Sequence, residues 1–395
     1  MTLDEAAIEA VPEDLLAAYG PGRSYYTSPS GGLLTEGVRA RLPVTGTAGD
    51  WATLAERAGE LVASGGDPDA IVLGAVPFDH AQPAHLVVPE TVHRAPPLSP
   101  QAVLRVDVPR VHEWRERHDL GPDGYARAVA EAVRRFAATE LEKVVLARAV
   151  DVTVSSGIDV RAVLTSLAAR DPGGYTFAID VPAGPGGRRT FLGASPELLV
   201  RRAGDRIVAH PLAGSAARSA DHREDRERAQ ALLQSAKERH EHAVVIDDVA
   251  RLLRPFCRSL SVPPGPELVN TRSMWHLATR LEGVLADPST SSLDVACALH
   301  PTPAVCGTPT DLAHDTIAEL EPFDRGYYTG MVGWQDAAGD GEWVVTVRSA
   351  EIEGERLRLY AGAGIVDGSV PADEVRETSA KLRTLLDAVG IDAEL

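Results

Sequence analysis

Three strand-like segments follow one another near the C-terminal end of the sequence, at residues 331–334, 342–354 and 356–366. Residues 336–341, which read DAAGDG, join the first two, and such a stretch is typical of a tight turn between antiparallel strands. Elsewhere the predicted helices and strands alternate irregularly, without the regular repeat of a doubly wound parallel sheet. The pattern therefore predicts an α/β protein with a mixed or antiparallel sheet.

Apolar periodicity and turn residues locate the other elements. The remaining predicted strands are residues 71–78, 85–90, 141–154, 175–181, 189–202, 206–212 and 274–285. The predicted helices are residues 51–64, 125–140, 160–170, 221–254 and 371–389. Two interruptions are expected, at Ser195–Pro196–Glu197 within a strand and at the small-residue loop Ala213–Gly214–Ser215.

Composition excludes several classes of function. The formal net charge of −18 argues against binding to nucleic acid or to an anionic membrane, because both require basic patches. The three cysteines lack metal-ligand spacing, and the odd count favours a reducing compartment. The acidic N-terminus has no apolar core typical of a signal peptide, and no apolar run is long enough to span a bilayer. We therefore expect a cytoplasmic protein.

Residues 361–381 combine a glycine-rich strand end with the start of a helix. Gly362 and Gly364 leave bare backbone there, Ser369 is a candidate N-cap, and Pro371 suits the first helical turn. Such a junction offers backbone groups to a ligand.

The helix that follows carries Glu374 and Glu377 on one face, with Lys381 one turn further on. A second helical pair with the same spacing, Glu238 and Glu241, occurs in the sequence KERHEH. Two carboxylate pairs suit a hard divalent cation, and Mg²⁺ in particular. The alternative is a pair of solvated helix starts, where glutamate is favoured by the helix dipole.

The histidines of the same motif do not indicate zinc. His240 and His242 flank Glu241, and residues two apart on a helix point in different directions. We expect these histidines to lie on a solvated helix face.

Two residues are candidates for acid–base chemistry. Lys143 begins an apolar strand, where a partly desolvated amine can act as a general base. Glu197 lies between Pro196 and an apolar run, where burial could raise its pKa and make it an acid. The alternatives are a lysine that reaches solvent at a strand end and a glutamate in an exposed turn. Arg348 and Lys381 could bind an anionic ligand, and Thr271, Arg272, His276 and Arg280 are either site residues or strand exteriors.

Seven sequence motifs, taken together, make the chain resemble the chorismate-utilising enzymes, which include anthranilate synthase component I. The resemblance is greatest to the isochorismate synthases. The shared motifs, in order, are EKVVLAR, FLGASPELLV, HPLAGSAAR, KERHEH, HPTPAVCGTP, DRGYYTGMVGW and AGAGIVDGSVPADEVRET. The match covers residues 140–390, and SYYTSPSGGLLTEGV near the N-terminus resembles isochorismate synthases of catecholate-siderophore pathways. The resemblance implies one α/β (α+β) domain over residues 1–395, with a two-sheet core and helices outside. Residues 1–110 would form a more variable region and residues 120–390 the catalytic core.

The resemblance also implies roles for individual residues. Lys143 matches the base that activates water, and Glu197 matches the acid that protonates the leaving hydroxyl. Glu241 and Glu377 match magnesium ligands, with Glu238 and Glu374 behind them. The expected substrate-binding residues are Gly214, Ser215, His276, Ala304, Tyr328, Arg348, Gly362, Gly364 and Lys381.

The implied reaction is the Mg²⁺-dependent isomerisation of chorismate, in which water adds at C2 and the C4 hydroxyl leaves. A salicylate synthase would go on to eliminate pyruvate, but such enzymes often carry threonine where this chain has Ala304. An aminating relative, of the anthranilate or aminodeoxychorismate synthase type, is disfavoured by Lys143, and an inactive chorismate-binding protein by the intact set of acidic and basic residues. Cys306 replaces a frequent serine. We expect a monomer that serves 2,3-dihydroxybenzoate or siderophore synthesis, although the sequence leaves menaquinone or another product open.

Overall fold

The computed structural model describes residues 12–44, 51–99, 104, 111, 113–155, 157–183, 187–272 and 274–392. The acidic N-terminus, on which the signal-peptide argument depends, lies largely outside these residues. The helices are α1 (Pro12–Ala18), α2 (Leu54–Ala63), α3 (Pro122–Phe136), α4 (Val160–Arg170), α5 (His222–Gln234), α6 (Ala236–Leu253), α7 (Ser292–Leu299), α8 (Thr310–Leu320) and α9 (Pro371–Val389).

The strands, in chain order, are β1 (Arg23–Ser28), β2 (Gly31–Glu36), β3 (Ala40–Arg41), β4 (Ile71–Val76), β5 (His85–Val88), β6 (Thr91–Ala95), β7 (Trp114–His118), β8 (Lys143–Val154), β9 (Tyr175–Val181), β10 (Arg189–Ser195), β11 (Leu198–Ala203), β12 (Arg206–His210), β13 (Leu212–Ala217), β14 (Cys257–Ser261), β15 (Glu267–Asn270), β16 (Met274–Ala278), β17 (Leu281–Leu285), β18 (Gly307–Thr308), β19 (Met331–Asp336), β20 (Gly341–Val345), β21 (Ser349–Glu353) and β22 (Arg356–Val366).

Within the described residues, the strands form two large sheets and one small sheet. The ten-stranded sheet has the order β18-β8-β22-β21-β10-β9-β1-β2-β6, with β7 also paired to β8. The nine-stranded sheet has the order β14-β17-β12-β11-β20-β19-β4-β5-β3, and β13-β16-β15 form the third sheet. Pairing is antiparallel in both large sheets, for example between β8 and β22 and between β19 and β20, as the hairpin pattern predicts.

The two large sheets pack face to face, and helices cover their outer faces. Tyr26, Phe177 and Phe191 of the ten-stranded sheet contact Leu73 and Val344 of the other sheet in one apolar cluster. A second cluster buries helices α2, α6 and α7 against the nine-stranded sheet, and a third buries α1, α4 and α9 against the ten-stranded sheet. Burial of apolar area at about 25 cal/mol per Å² stabilises these layers.

Three segments with a strand pattern are divided, and at each division the chain passes from one sheet to another. The first, 189–202, divides at its predicted interruption, whereas 342–354 and 274–285 were predicted as single strands. Residues 189–202 form β10 of the ten-stranded sheet and β11 of the nine-stranded sheet, with Pro196 and Glu197 between them. Residues 342–354 divide into β20 and β21 around Arg348, whose φ of 51° lies in the left-handed region. Residues 274–285 divide into β16 and β17. Arg348 therefore lies in a crossover, and its predicted position within a strand is wrong.

Local details differ at three other places. The predicted loop 213–215 belongs to β13, which pairs with β16 through an irregular register. The predicted helix 221–254 breaks at Ser235, whose side chain accepts a hydrogen bond from Glu238 N–H and caps α6. Val370 rather than Ser369 is the N-cap of α9, and Ser369 Oγ instead accepts from Val366 N–H at 3.2 Å.

Candidate active site

One cavity is lined by nearly all of the predicted site residues. Its walls come from β8, β13, β16, β22, α6 and α9, together with the inter-sheet crossovers that carry Glu197 and Arg348. The predicted residues that line it are Glu197, Gly214, Ser215, Glu238, Glu241, His276, Ala304, Tyr328, Arg348, Gly362, Gly364, Glu374, Glu377 and Lys381. A concave wall with several convergent polar groups is typical of a small-molecule site.

Lys143 lies behind this wall, at the first position of β8, and its side chain is only 1% exposed. Its Nζ is 2.8 Å from Oε1 of Glu241, which is itself buried on α6. Gly364 of the neighbouring strand makes this contact possible, because a Cβ there would lie 2.4 Å from Glu241 Oε1 and 3.1 Å from Lys143 Cε. The fold therefore places a buried amine, behind the cavity wall, in contact with a buried carboxylate of that wall.

Glu197 reaches the cavity from the crossover between β10 and β11. Its side chain is buried, and Oε1 has no hydrogen-bond partner among the described residues. Burial raises the pKa of this carboxyl from 4.5 to about 8, even though Lys143 and a backbone hydrogen bond from Leu212 act in the opposite direction. A carboxyl in this state keeps its proton near neutral pH and can donate it.

The two glutamate pairs meet across the cavity, one from α6 and one from α9. Ser215 joins them, because its N–H donates to Glu238 Oε2 at 3.2 Å and its hydroxyl donates to Glu377 Oε1 at 3.2 Å. Burial, followed by the charge of Glu377, raises the pKa of Glu374 to about 7. Burial and the charge of Glu241 likewise raise the pKa of Glu238.

Lysines partly balance this negative charge. Lys381 Nζ is 2.7 Å from Glu377 Oε1 and donates to Gly362 O at 2.9 Å. Although burial opposes the shift, the Lys381 ammonium lowers the pKa of Glu377 below its ordinary value. Lys237, which the sequence interpretation missed, lies 3.6 Å from Glu374 Oε1.

The described residues contain no group of three His, Cys, Asp or Glu side chains close enough to ligate one ion by themselves. The donor set nevertheless fits a hard divalent cation. Such an ion in a substrate site is commonly held by one or two carboxylates, with water and substrate oxygens completing its coordination. Burial raises the pKa of Glu238 and of Glu374, and the charges of Glu241 and Glu377 add to the rise, so a bound cation would offset both effects.

Arg348 forms a basic part of the cavity wall beside His276. Arg348 Nη2 lies 2.7 Å from His276 Nε2, and burial lowers the pKa of Arg348 to about 10. Burial and the charges of Arg348 and Lys381 hold the pKa of His276 well below its ordinary value, so that its neutral ring accepts a hydrogen bond from the guanidinium. The remaining guanidinium donors are available to an anionic ligand.

Gly214 and Tyr328 shape the walls between these groups. Gly214 has a φ of 83°, and a Cβ on it would lie 3.1 Å from Glu238 Oε2. Tyr328 stacks on Tyr360 with ring centroids 4.8 Å apart, and its hydroxyl would lie 3.0 Å from a Cβ on Gly362. Tyr360 was missed because it reads as an ordinary strand residue.

The histidine and strand-exterior predictions have mixed outcomes. His240 is exposed, whereas His242 is buried and contacts Ala213 O at 3.1 Å and Thr279 Oγ1 at 2.7 Å, so the solvated-face prediction is wrong for His242. Arg280 is exposed and pairs with Glu282. Thr271 and Arg272 line a second cavity, whose wall also includes Arg348.

Comparisons with known proteins identify the family. The sequence profile described as "Chorismate binding enzyme" matches residues 94–390. The chain belongs to this family. It is 48% identical over 396 residues to isochorismate synthase DhbC of Bacillus subtilis, covering 99% of each chain. It is 43% identical to the vibriobactin-specific isochorismate synthase of Vibrio cholerae, covering 82% of this chain and 80% of the relative.

Solved structures agree with this placement. A Bacillus anthracis structure assigned as a 2,3-dihydroxybenzoate-specific isochorismate synthase, DhbC, has a TM-score of 0.91 and 41% identity, and covers 96% of this chain and 100% of that chain. The predicted family, the two-sheet α/β fold and the isochorismate synthase (isomerase) activity are confirmed. No helix in the described part of the chain has both the length and the apolar character needed to cross a membrane.

Proposed function

We propose that this chain isomerises chorismate to isochorismate with Mg²⁺, that Lys143 and Glu197 are its base and acid, and that its product feeds 2,3-dihydroxybenzoate synthesis. The observation that carries the proposal is Glu197, a buried carboxyl with an unpartnered oxygen and a pKa raised by burial to about 8. An acid that keeps its proton at neutral pH is what departure of a hydroxyl requires.

The proton balance uses two residues of the chain. Lys143 accepts a proton from the water that adds at C2, and Glu197 gives a proton to the hydroxyl that leaves C4. One water is consumed and one is released, so substrate and product are isomers. Burial of both side chains excludes bulk water from these transfers.

The substrate is a dianion, and the basic part of the cavity suits its two carboxylates. Arg348 presents guanidinium donors beside His276, and Lys381 presents an ammonium held over Gly362. Gly214 and Ser215 offer backbone and hydroxyl groups close to the glutamate pairs. These residues orient the ring between Lys143 and Glu197.

The glutamates would hold the magnesium ion, with Glu241 and Glu377 closest to it and Glu238 and Glu374 behind. When bound, the ion would fix the ring carboxylate of the substrate and neutralise charge there. The carboxylate donor set and the mutual repulsion within it support this part of the proposal.

The proposed pathway depends on the relatives, because similar proteins are named for 2,3-dihydroxybenzoate and for vibriobactin. Salicylate synthase activity is the second candidate, and Ala304 in the cavity wall, where such enzymes often carry threonine, argues against it. We also propose a monomer in the cytoplasm, and light scattering of the purified protein tests the oligomeric state.

The test is to incubate the purified protein with chorismate and Mg²⁺ and to separate the products by chromatography with mass detection. The proposal predicts a product with the mass of chorismate and the retention of authentic isochorismate. Stoichiometric pyruvate without an added lyase would instead assign a salicylate synthase. A product that depends on ammonia would assign an aminating enzyme.

A further inference from the structure

Strand β8, which carries Lys143, has an incomplete outer edge. Its inner edge pairs with β22 along residues 143–153. On the outer edge, β18 covers only Lys143 and Val144, and β7 begins at Val150. Between these two short strands, Val145 N–H still donates to Cys306 O at 2.8 Å and Ala149 O accepts from Asp119 N–H at 3.3 Å. Val145 O and Ala147 N–H have no backbone partner on this edge among the described residues, although unpaired buried backbone groups are costly.

Two side chains fill this gap. Ala147 N–H donates to Glu321 Oε1 at 2.7 Å, and Arg325 Nη2 donates to Val145 O at 2.7 Å. The two side chains are themselves paired at 2.6 and 2.8 Å, and each is only 2% exposed. A buried ion pair therefore takes the place of a missing strand.

Arg325 also holds two other parts of the cavity wall. Its Nη1 donates to Val305 O at 2.9 Å and to Thr329 Oγ1 at 3.2 Å. Thr329 has a φ of 57°, a conformation that costs a non-glycine residue energy and persists only when its surroundings fix it. Val145, Val305 and Thr329 all line the cavity, so one guanidinium connects three of its walls.

We infer that the Glu321–Arg325 pair is a positioning element for the isomerisation, which sets β8 and hence Lys143 against the walls that hold the substrate. The inference deepens the proposed function and rests on it. Neither side chain lines the cavity. Their effect on the reaction is exerted through the backbone of Val145 and Ala147, two and four residues from Lys143.

The informative variant is Arg325→Lys, which keeps the charge but cannot reproduce the planar fork that contacts Val145 O, Val305 O and Glu321 together. We expect kcat to fall roughly 10- to 100-fold, since a displacement of about 1 Å in a reacting geometry has effects of this size. The KM for chorismate should change by less than about threefold, because the groups that bind the substrate carboxylates remain.

Arg202 provides a matched control. It is buried in the nine-stranded sheet, donates to Ala338 O and Pro288 O, and pairs with Asp340 at 3.4 Å, away from the cavity. Arg202→Lys should lower the thermal midpoint by an amount similar to that in Arg325→Lys and leave kcat within about twofold of wild type. Both variants are assayed well below their midpoints, with the folded fraction measured by circular dichroism.

Equal loss of kcat in the two variants, or wild-type kcat in Arg325→Lys, would overturn the positioning role. Glu321→Gln gives a second measurement if Arg325→Lys does not fold, because the amide oxygen can still accept from Ala147 N–H while the charge on Arg325 loses its partner. The same loss of kcat is expected for it, and unchanged kcat would also refute the inference. Absence of isochorismate formation by the wild-type protein would be a failure of the proposed function itself.

Discussion

Replacement of Glu197 by glutamine should make the protein less active and should remove a loss of stability that the wild type undergoes as the pH rises. Burial raises the pKa of this carboxyl from 4.5 to about 8, so between these values the folded chain keeps a proton that the unfolded chain has released. The stability associated with the neutral carboxyl is therefore fully present below pH 4.5 and is lost as the pH rises through about 8. Over this whole pH interval the free energy of unfolding falls by about 5 kcal/mol, and about 4 kcal/mol of that loss occurs above pH 5.

Glutamine has a similar shape and does not ionise. Its buried amide lowers the free energy of unfolding by an amount that does not depend on pH. The difference in unfolding free energy between wild type and Glu197→Gln should therefore change with pH only through ionisation of the wild-type carboxyl, by about 4 kcal/mol above pH 5. Urea denaturation of both proteins at constant ionic strength, from about pH 5 to about pH 9, measures that difference. Glu353→Gln, at an exposed strand position, is the control and should follow the wild-type curve.

Parallel stability curves for wild type and Glu197→Gln would refute this reasoning, because they would mean that the carboxyl is ionised in the folded protein over the whole range. The kinetic consequence has the same origin. Wild-type kcat should fall as the pH rises above about 8, since the acid is then ionised. Glu197→Gln should lose a factor of roughly 10² or more in kcat at every pH.

Three further predictions concern the groups around this acid. Lys143→Ala should reduce kcat by roughly 10² or more, the usual effect of losing a positioned base. The Kd for chorismate, measured by calorimetry, should change much less, because Arg348 and Lys381 remain. A loss of affinity with kcat retained would make Lys143 a ligand of the substrate carboxylate instead of a base. EDTA should abolish turnover and added Mg²⁺ should restore it, and full activity in chelator would remove the metal from the account. Gly364→Ala should reduce kcat by roughly 10², because its Cβ would lie 2.4 Å from Glu241 Oε1, whereas Gly59→Ala, with no atom within 4 Å of its new Cβ, should be silent.

Local sequence patterns predicted helices and strands correctly where the segment forms a single helix or belongs to a single sheet. Strand β8, helix α4 with its Asp159 cap, and helix α9 with its buried Leu382, Leu385 and Leu386 lie where periodicity indicates. Periodicity failed where the chain leaves one sheet and enters another. Apolar and polar residues alternate in the same way before and after a crossover. Residues 342–354 were therefore predicted as a single strand, although they form two.

The crossovers between sheets also limit what the sequence predicts about the site. Glu197 and Arg348 both lie at crossovers, where the backbone stops pairing and directs a side chain into the cavity. Pro196 marks the first crossover in the sequence, but nothing local marks the left-handed φ of Arg348. Tyr360 and Lys237 were missed for a related reason, because their roles depend on Tyr328 and Glu374, which belong to distant parts of the chain.

Water enriched in oxygen-18 shows directly whether the C2 hydroxyl of isochorismate comes from solvent, when the mass of the isochorismate formed in it is determined. In the proposed reaction, Lys143 activates a water molecule that adds at C2 while Glu197 protonates the departing C4 hydroxyl. We expect each isochorismate formed in a single turnover to carry one heavy oxygen, at the C2 hydroxyl, and the chorismate recovered early in the reaction to be unlabelled. Isochorismate without heavy oxygen would show that the hydroxyl moves within the substrate, and would contradict the roles given to both residues.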